Sequence, residues 1–420
     1  MTDETYLDNA ATTRPDPRVI EVVAQAMADG FGNASARHAR GRRARALLEE
    51  SREAVADALG VDPSEVVFTS GGTESNNLAV AGACRACRAE RDGIVVSALE
   101  HASVTKSVRG LKREGWPVSY VKAPRGELDL EGLRARLNAR TALITCMLVQ
   151  NEVGFVLPVD QVVAARNERA PRALVHTDAV QAFCKIPFYP REVGVDLASV
   201  SSHKIGGPQG VGALYVRAGT KMFTTAFGGG QERGLRSGTE ALPLIAGFAE
   251  AVRIAMSDRE VAFRRVCGLR RRLVDGVRAI VPDVRVNSRD DGSPYIVSLS
   301  FPRTDGAALM EFLDAQGVCV SKASACETLH PHVPPEDRRK KHPLSLRLAG
   351  VPTDLVESTV RVSFSRCSAP QDVDAFVAAL AAYKEASQVP HRHGAAKVAH
   401  AVETADVFDV PPAENLIQRF

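Results

Sequence analysis

From about residue 60 to residue 216 the chain alternates short apolar runs with longer stretches whose apolar residues recur every three or four positions. Residues 66–69, 94–97, 118–121, 142–147, 174–178, 198–201 and 211–216 read as strands. Most are apolar on both faces, as strands between two helix layers must be. Residues 76–90 and 103–114 carry helical periodicity and fill gaps between them. This order predicts an α/β fold with a mostly parallel central sheet and helices on both sides.

After residue 247 the pattern changes. One long helix is predicted to about residue 280, then strands at 284–287 and 296–301, a helix over 307–316, strands at 318–321 and 360–364, and a last helix from residue 373. This reads as a smaller α+β unit. The predicted division is a large domain over 16–250, a small domain of 1–15 with 251–388, and a tail over 389–420. Residues 327–342 and the tail read as irregular surface segments.

Composition narrows the function classes. Fifty-three basic and 50 acidic side chains leave a formal charge of +3, which provides no global field for nucleic acid or an anionic membrane. No apolar run approaches the ~20 residues that cross a bilayer. A patterned motif begins at Leu7, which leaves no room for a leader segment. Eight scattered cysteines do not suggest a disulfide framework, and the expectation is a reduced, cytoplasmic protein.

The candidate chemistry clusters where predicted strands end. Lys204 follows a strand and stands in a glycine-rich turn with Gly206, Gly207 and Gly210. Such a lysine can form a Schiff base with an aldehyde cofactor, and by itself reads equally as a surface lysine. The Gly71-Gly72-Thr73-Glu74 turn between strand and helix can offer backbone N–H groups to a phosphate, or merely connect the two. Asp178, at a strand's carboxyl end, can hold a pyridinium nitrogen protonated or cap a helix. His101 can stack on a planar ring and move protons. Asn151 follows the next strand, so these polar groups converge at one sheet edge.

The segments YLDNAATT (6–13), FTSGGTESNN (68–77), EH (100–101), NEVG (151–154), HTDAVQA (176–182), SSHKIGGPQGVGALY (201–215) and GGGQERGLRSGTE (228–240) together resemble the cysteine desulfurase family. Those enzymes have the class V, aspartate-aminotransferase fold, use pyridoxal 5'-phosphate, and supply sulfur for iron–sulfur assembly. The resemblance runs in order over roughly residues 6 to 385. It implies Lys204 as the Schiff-base lysine, Asp178 as the pyridinium partner and Gln181 as a donor to the ring's phenolic oxygen. His101 becomes the stacking acid–base group. Gly72, Thr73, Ser201 and His203 fall in the phosphate site. Thr239 resembles a phosphate ligand contributed by a second subunit, which implies a homodimer. Asn151 and Arg361 match residues that hold the substrate carboxylate, and an arginine fork suits that group.

The family's sulfur-accepting nucleophile matches Cys326, after Ser324-Ala325. The match implies that L-cysteine is converted to alanine through a persulfide, with a sulfur-acceptor protein as partner. Two residues depart from the family pattern, Lys322 and Ala323, where serine and glycine are common. Lys322 can lower the thiol pKa or point into water. The following loop is several residues longer than usual and carries a basic run, Arg338 to Lys341, read as a solvated surface or as a dock for an acidic acceptor. His330 and His332 lack a recognised metal spacing, and no metal site is predicted. Cys84 and Cys87 read as helix residues, and Cys146, Cys184 and Cys319 as packed. Selenocysteine lyase, on the same scaffold, is the alternative function.

Overall fold

The computed structural model describes residues 4–322 and 344–388. Cys326, the histidines and basic run after it, and the tail lie outside the described residues. The strands, in chain order, are β1 (Thr5–Tyr6), β2 (Val66–Thr69), β3 (Gly93–Ser97), β4 (Val118–Val121), β5 (Thr141–Thr145), β6 (Leu174–Asp178), β7 (Leu197–Ser201), β8 (Gly212–Val216), β9 (Arg285–Val286), β10 (Ile296–Ser300), β11 (Val318–Cys319) and β12 (Thr359–Ser363).

Seven strands form the main sheet in the order β2-β8-β7-β6-β5-β3-β4. Six point the same way, and only β8 runs antiparallel to its neighbours β2 and β7. Every residue of β5, β7 and β8 is buried, the threonines of β5 and the serines of β7 included, as strands covered on both faces must be. The edge strand β4 is more open, with Tyr120 exposed. The mostly parallel sheet expected from the alternation is therefore present, and six carboxyl ends face one side.

Three-stranded sheet β12-β10-β9 is antiparallel and packs with helices Arg259–Ile280, Gly306–Ala315 and Pro370–Gln388 around Leu269, Phe301, Leu313 and Phe376. The chain's beginning joins this layer. β1 pairs with β11, and the Leu7 carbonyl accepts from the Ser363 N–H at 2.7 Å.

Two predicted helices differ in detail. The single helix expected up to residue 280 is two, Leu242–Ser257 and Arg259–Ile280. Asp258 breaks it with φ −130°, and its carboxylate takes Arg366 at 2.8 Å. The break lets one half pack on helices Pro17–Ala28 and Ala39–Leu59 and the other on Pro370–Gln388. The helix expected from residue 76 starts at Gly72 and contains a π-helical turn over Leu78–Gly82. There the Gly82 carbonyl accepts from Phe223 N, and a Cβ at 82 would lie 2.7 Å from the Phe223 oxygen.

Candidate active site

The turns leaving β2, β3, β5, β6 and β7 border one cavity of about 500 Å³, a volume suited to a small cofactor and substrate. Its lining includes Gly72, Thr73, His101, Asn151, Asp178, Gln181, Ser201, His203, Lys204 and Arg361. Thr239 is exposed and outside this lining. Its segment is tied to the rim, because Arg236 pairs with Glu74 at 3.1 Å.

At the end of β2 the chain turns through Gly71, whose φ of 143° favours glycine. A Cβ on Gly72 would lie 2.7 Å from a Val180 methyl carbon. Gly72 therefore lets the start of the helix come close to the turn leaving β6, next to the end of β7. Ser201 stands there, with a buried Oγ that has no protein partner among the described residues. His203 meets the Thr12 hydroxyl at 3.2 Å. Burial, with Lys204 and Lys185 nearby, pulls its imidazole down to about 4, so the ring is neutral at neutral pH. An unpartnered hydroxyl, a neutral imidazole and free helix N–H groups suit a phosphate. The residues present thus fit the phosphate end of pyridoxal phosphate.

Asp178 is buried at the end of β6. Its carboxylate accepts from Asn76 Nδ2 at 2.7 Å and from the Val180 N–H at 3.0 Å. Asn76 also donates to Ser103 Oγ at 2.8 Å, and that hydroxyl lies 2.7 Å from His101 Nδ1. Nδ1 accepts from the Ser103 N–H as well, which caps the helix Ala102–Arg113. A chain of polar contacts therefore runs from Asp178 to His101 and sets the imidazole with Nδ1 as acceptor. Ser103 carried no signal in the sequence. Asn76 stood in a motif without a role assigned to it.

Lys204 Nζ donates to the carbonyl oxygens of Ala10 and Ala11, both at 2.6 Å. Gln181 Nε2 reaches the Ala10 oxygen too, at 2.9 Å. Arg361 is almost wholly buried. Its Nη1 donates to the Asn151 carbonyl at 2.9 Å and its Nη2 to Asp8 at 2.8 Å, while Nε has no partner among the described residues. Asn151 and Arg361, paired in the sequence reading, are in direct contact. Asp8, Ala10 and Ala11 stood in the first motif without roles: Asp8 acts through its carboxylate on a residue 353 positions away, and the two alanines act through backbone carbonyls, which leave no mark on residue type.

Ser321 and Arg361 exchange backbone hydrogen bonds, which ties Ser321 to a wall of the cavity. Lys322 pairs with Glu357. Its charge is thus engaged by a carboxylate. Cys84, Cys87, Cys146 and Cys184 are buried, and burial pushes their thiols up. Cys319 departs from the packed reading. It is half-buried, bonds the Glu4 carboxylate at 2.9 Å, and is pushed up to about 12 by burial and that contact.

The aminotransferase class-V family model matches residues 5–376. A cysteine desulfurase of Trichormus azollae is 37% identical over 374 residues, 88% of this chain and 90% of that protein. The human cysteine desulfurase is 36% identical over 376 residues, 88% of this chain and 79% of that one. Among solved structures, a NifS-like protein superposes with a TM-score of 0.84 at 33% identity, covering 91% of this chain and 99% of the other. DndA from Streptomyces lividans gives 0.69 at 34% identity, covering 86% and 99%. The chain belongs to the cysteine desulfurase family of class-V aminotransferases.

Proposed function

We propose that this chain is a pyridoxal-phosphate-dependent cysteine desulfurase that converts L-cysteine to L-alanine and retains the sulfur as a persulfide on Cys326. The observation that carries this reading is the convergence of Lys204, Asp178, Gln181, His101 and the unpartnered Ser201 hydroxyl on one cavity. The cofactor would supply an aldehyde that bonds a lysine amine and a ring that withdraws electrons from the substrate α-carbon.

The protein's own residues do the rest. Gly72, Thr73, Ser201 and His203 hold the phosphate, with Thr239 contributed by a second copy in a homodimer. With the cofactor bound, Asp178 would keep its ring nitrogen protonated, Gln181 would donate to its phenolic oxygen and His101 would stack on its ring. Asn151 and Arg361 hold the substrate carboxylate. Lys204 takes the α-proton once it is released, and His101 moves protons near the sulfur. The Cys326 thiolate attacks that sulfur. An S–S bond forms, the C–S bond breaks, and its electron pair stays on the β-carbon, which takes a proton to become the methyl group of alanine. Cys326 is the fifth residue after Ser321, a reach of at most roughly 18 Å, which is compatible with access to the cavity.

The persulfide then passes to an acceptor protein, and we take iron–sulfur cluster assembly in the cytoplasm as the setting. Among the described residues no helix is long and apolar enough to cross a membrane. The named relatives favour cysteine over selenocysteine as substrate. The test is to supply the purified protein with pyridoxal phosphate and L-cysteine. Alanine should form, and the Cys326 peptide should gain the mass of one sulfur atom. Absence of both, or turnover of selenocysteine alone, would overturn the proposal.

A further inference from the structure

Lys185 follows Asp178 by seven residues, on the turn leaving β6, and only 6% of it is exposed. The cations that bear on its amine are Lys204 and Arg361, and the neighbouring Cys184 thiol acts the other way. Burial first, then those two, pulls the amine down to about 7. A cation desolvated among cations is unfavourable, and an apolar side chain of similar length would be more stable there. Its contacts indicate what the amine does. Nζ donates to Gln181 Oε1 at 3.2 Å and lies 5.8 Å from the Tyr295 ring centre. Cys184 and Tyr295, with Arg259 and Arg366, share the small cavity behind it.

The Gln181 amide is thereby held at both ends. While Lys185 is protonated, below about pH 7, its ammonium only donates, so the atom facing it is the oxygen. The Ala10 carbonyl only accepts, so the atom facing it must be the nitrogen. One of the two amide orientations satisfies both, and the other opposes like partners at each end. In the satisfied orientation Nε2 lies beside Lys204 Nζ on the same carbonyl, and its second hydrogen is available to the cavity.

We propose that Lys185 is a positioning residue: from behind the cavity it fixes and polarises the Gln181 amide, so that N–H and not oxygen faces the cofactor beside Lys204. This rests on Gln181 being the donor to the phenolic oxygen. A donor there draws negative charge from the ring oxygen and loosens the proton on the adjoining lysine nitrogen. Losing the donor raises the pH at which the lysine-bound cofactor changes colour.

The test is a double-mutant cycle with Lys185→Met and Gln181→Leu. Each single variant should raise the midpoint of the colour titration by about one pH unit and lower kcat about ten-fold, the worth of one charge-assisted hydrogen bond. In the Gln181→Leu background, Lys185→Met should add less than a third of its own effect. Apoprotein melting should be unchanged or higher in Lys185→Met, because a desolvated cation is gone, while the apoprotein's affinity for pyridoxal phosphate falls. Lys185→Gln keeps a neutral donor and should recover part of the titration shift, which guards against a misfolded Met variant. An equal Lys185→Met shift in both backgrounds, or none in either, overturns the proposal. So does a loss of kcat matched by a lower melting temperature with no recovery in Lys185→Gln. If Gln181→Leu itself leaves the titration unmoved, the reading of Gln181 fails and the role of Lys185 falls with it.

Discussion

Lys204 and Gln181 donate to one acceptor, the carbonyl oxygen of Ala10, at 2.6 and 2.9 Å. Two side chains from the ends of neighbouring strands β7 and β6 are brought together by a loop about 170–190 residues earlier in the chain. The amine is thus held beside the amide before any substrate enters. Preorganisation of this kind limits the motion a reacting amine must undergo.

Replacing Lys204 by alanine should lower turnover at least about a thousand-fold and abolish the absorbance of lysine-bound cofactor. Pyridoxal phosphate should still bind non-covalently through Thr73, Ser201, His203 and Asp178, which equilibrium dialysis would register. A variant with ordinary absorbance and activity removes Lys204 from the mechanism.

Arg361→Lys should act on substrate binding more than on chemistry. Lysine cannot reproduce the two donors that reach Asn151 and Asp8, nor the Nε left over. KM for cysteine should rise about 30-fold or more, the worth of roughly 2 kcal/mol. Steady-state kinetics check this, and an unaltered KM would take the carboxylate away from Arg361.

Burial pushes the Glu100 carboxyl from 4.5 up to about 8, despite hydrogen bonds from Ser97 and the Met147 N–H. The folded state therefore keeps a proton that the unfolded chain releases between those values. The stability this group contributes is full below about 4.5 and is lost as pH rises to about 8. Glu100→Gln stays neutral and lacks this slope. Between pH 5 and pH 8.5 its melting temperature should move upward relative to the parent by a few degrees. Parallel curves for the two proteins would contradict the assignment.

The shared-site reading of Thr239 predicts complementation. Lys204→Ala subunits mixed with Thr239→Ala subunits would place both defects in one site of a heterodimer and neither in the other. Activity should recover towards half that of the parent per heterodimer. No recovery at any mixing ratio would count against a partner's Thr239 at the phosphate.

Cys326→Ala should bind cysteine and perturb the cofactor spectrum, yet form little alanine, because the C–S bond breaks only when a thiolate takes the sulfur. Selenocysteine is ionised at neutral pH and its C–Se bond is weaker, so the same variant should retain some selenium release. Alanine measured for both substrates, in parent and variant, separates desulfurase from lyase. A variant fully active on cysteine would end the persulfide mechanism.

The alternation of strands and helices, the parallel sheet and the loops that carry the site were legible in the sequence. Apolar runs such as β8, and glycines such as Gly71, mark local conformations that few other residues permit. What the tertiary structure alone decided are relationships between distant positions. The carbonyls of Ala10 and Ala11 reach Lys204 because β1 and the residues after it are drawn onto β11 and β12. Backbone oxygens have no residue identity, so no pattern could announce them. Lys185 reads in sequence like any lysine with its stem on apolar surface and its amine in water. Only the packing of Tyr295 and the Gln181 amide around it shows a cation taken out of water and placed behind the site. Local conformation follows from neighbouring residues. The partners of a buried polar atom follow from the whole chain's closure.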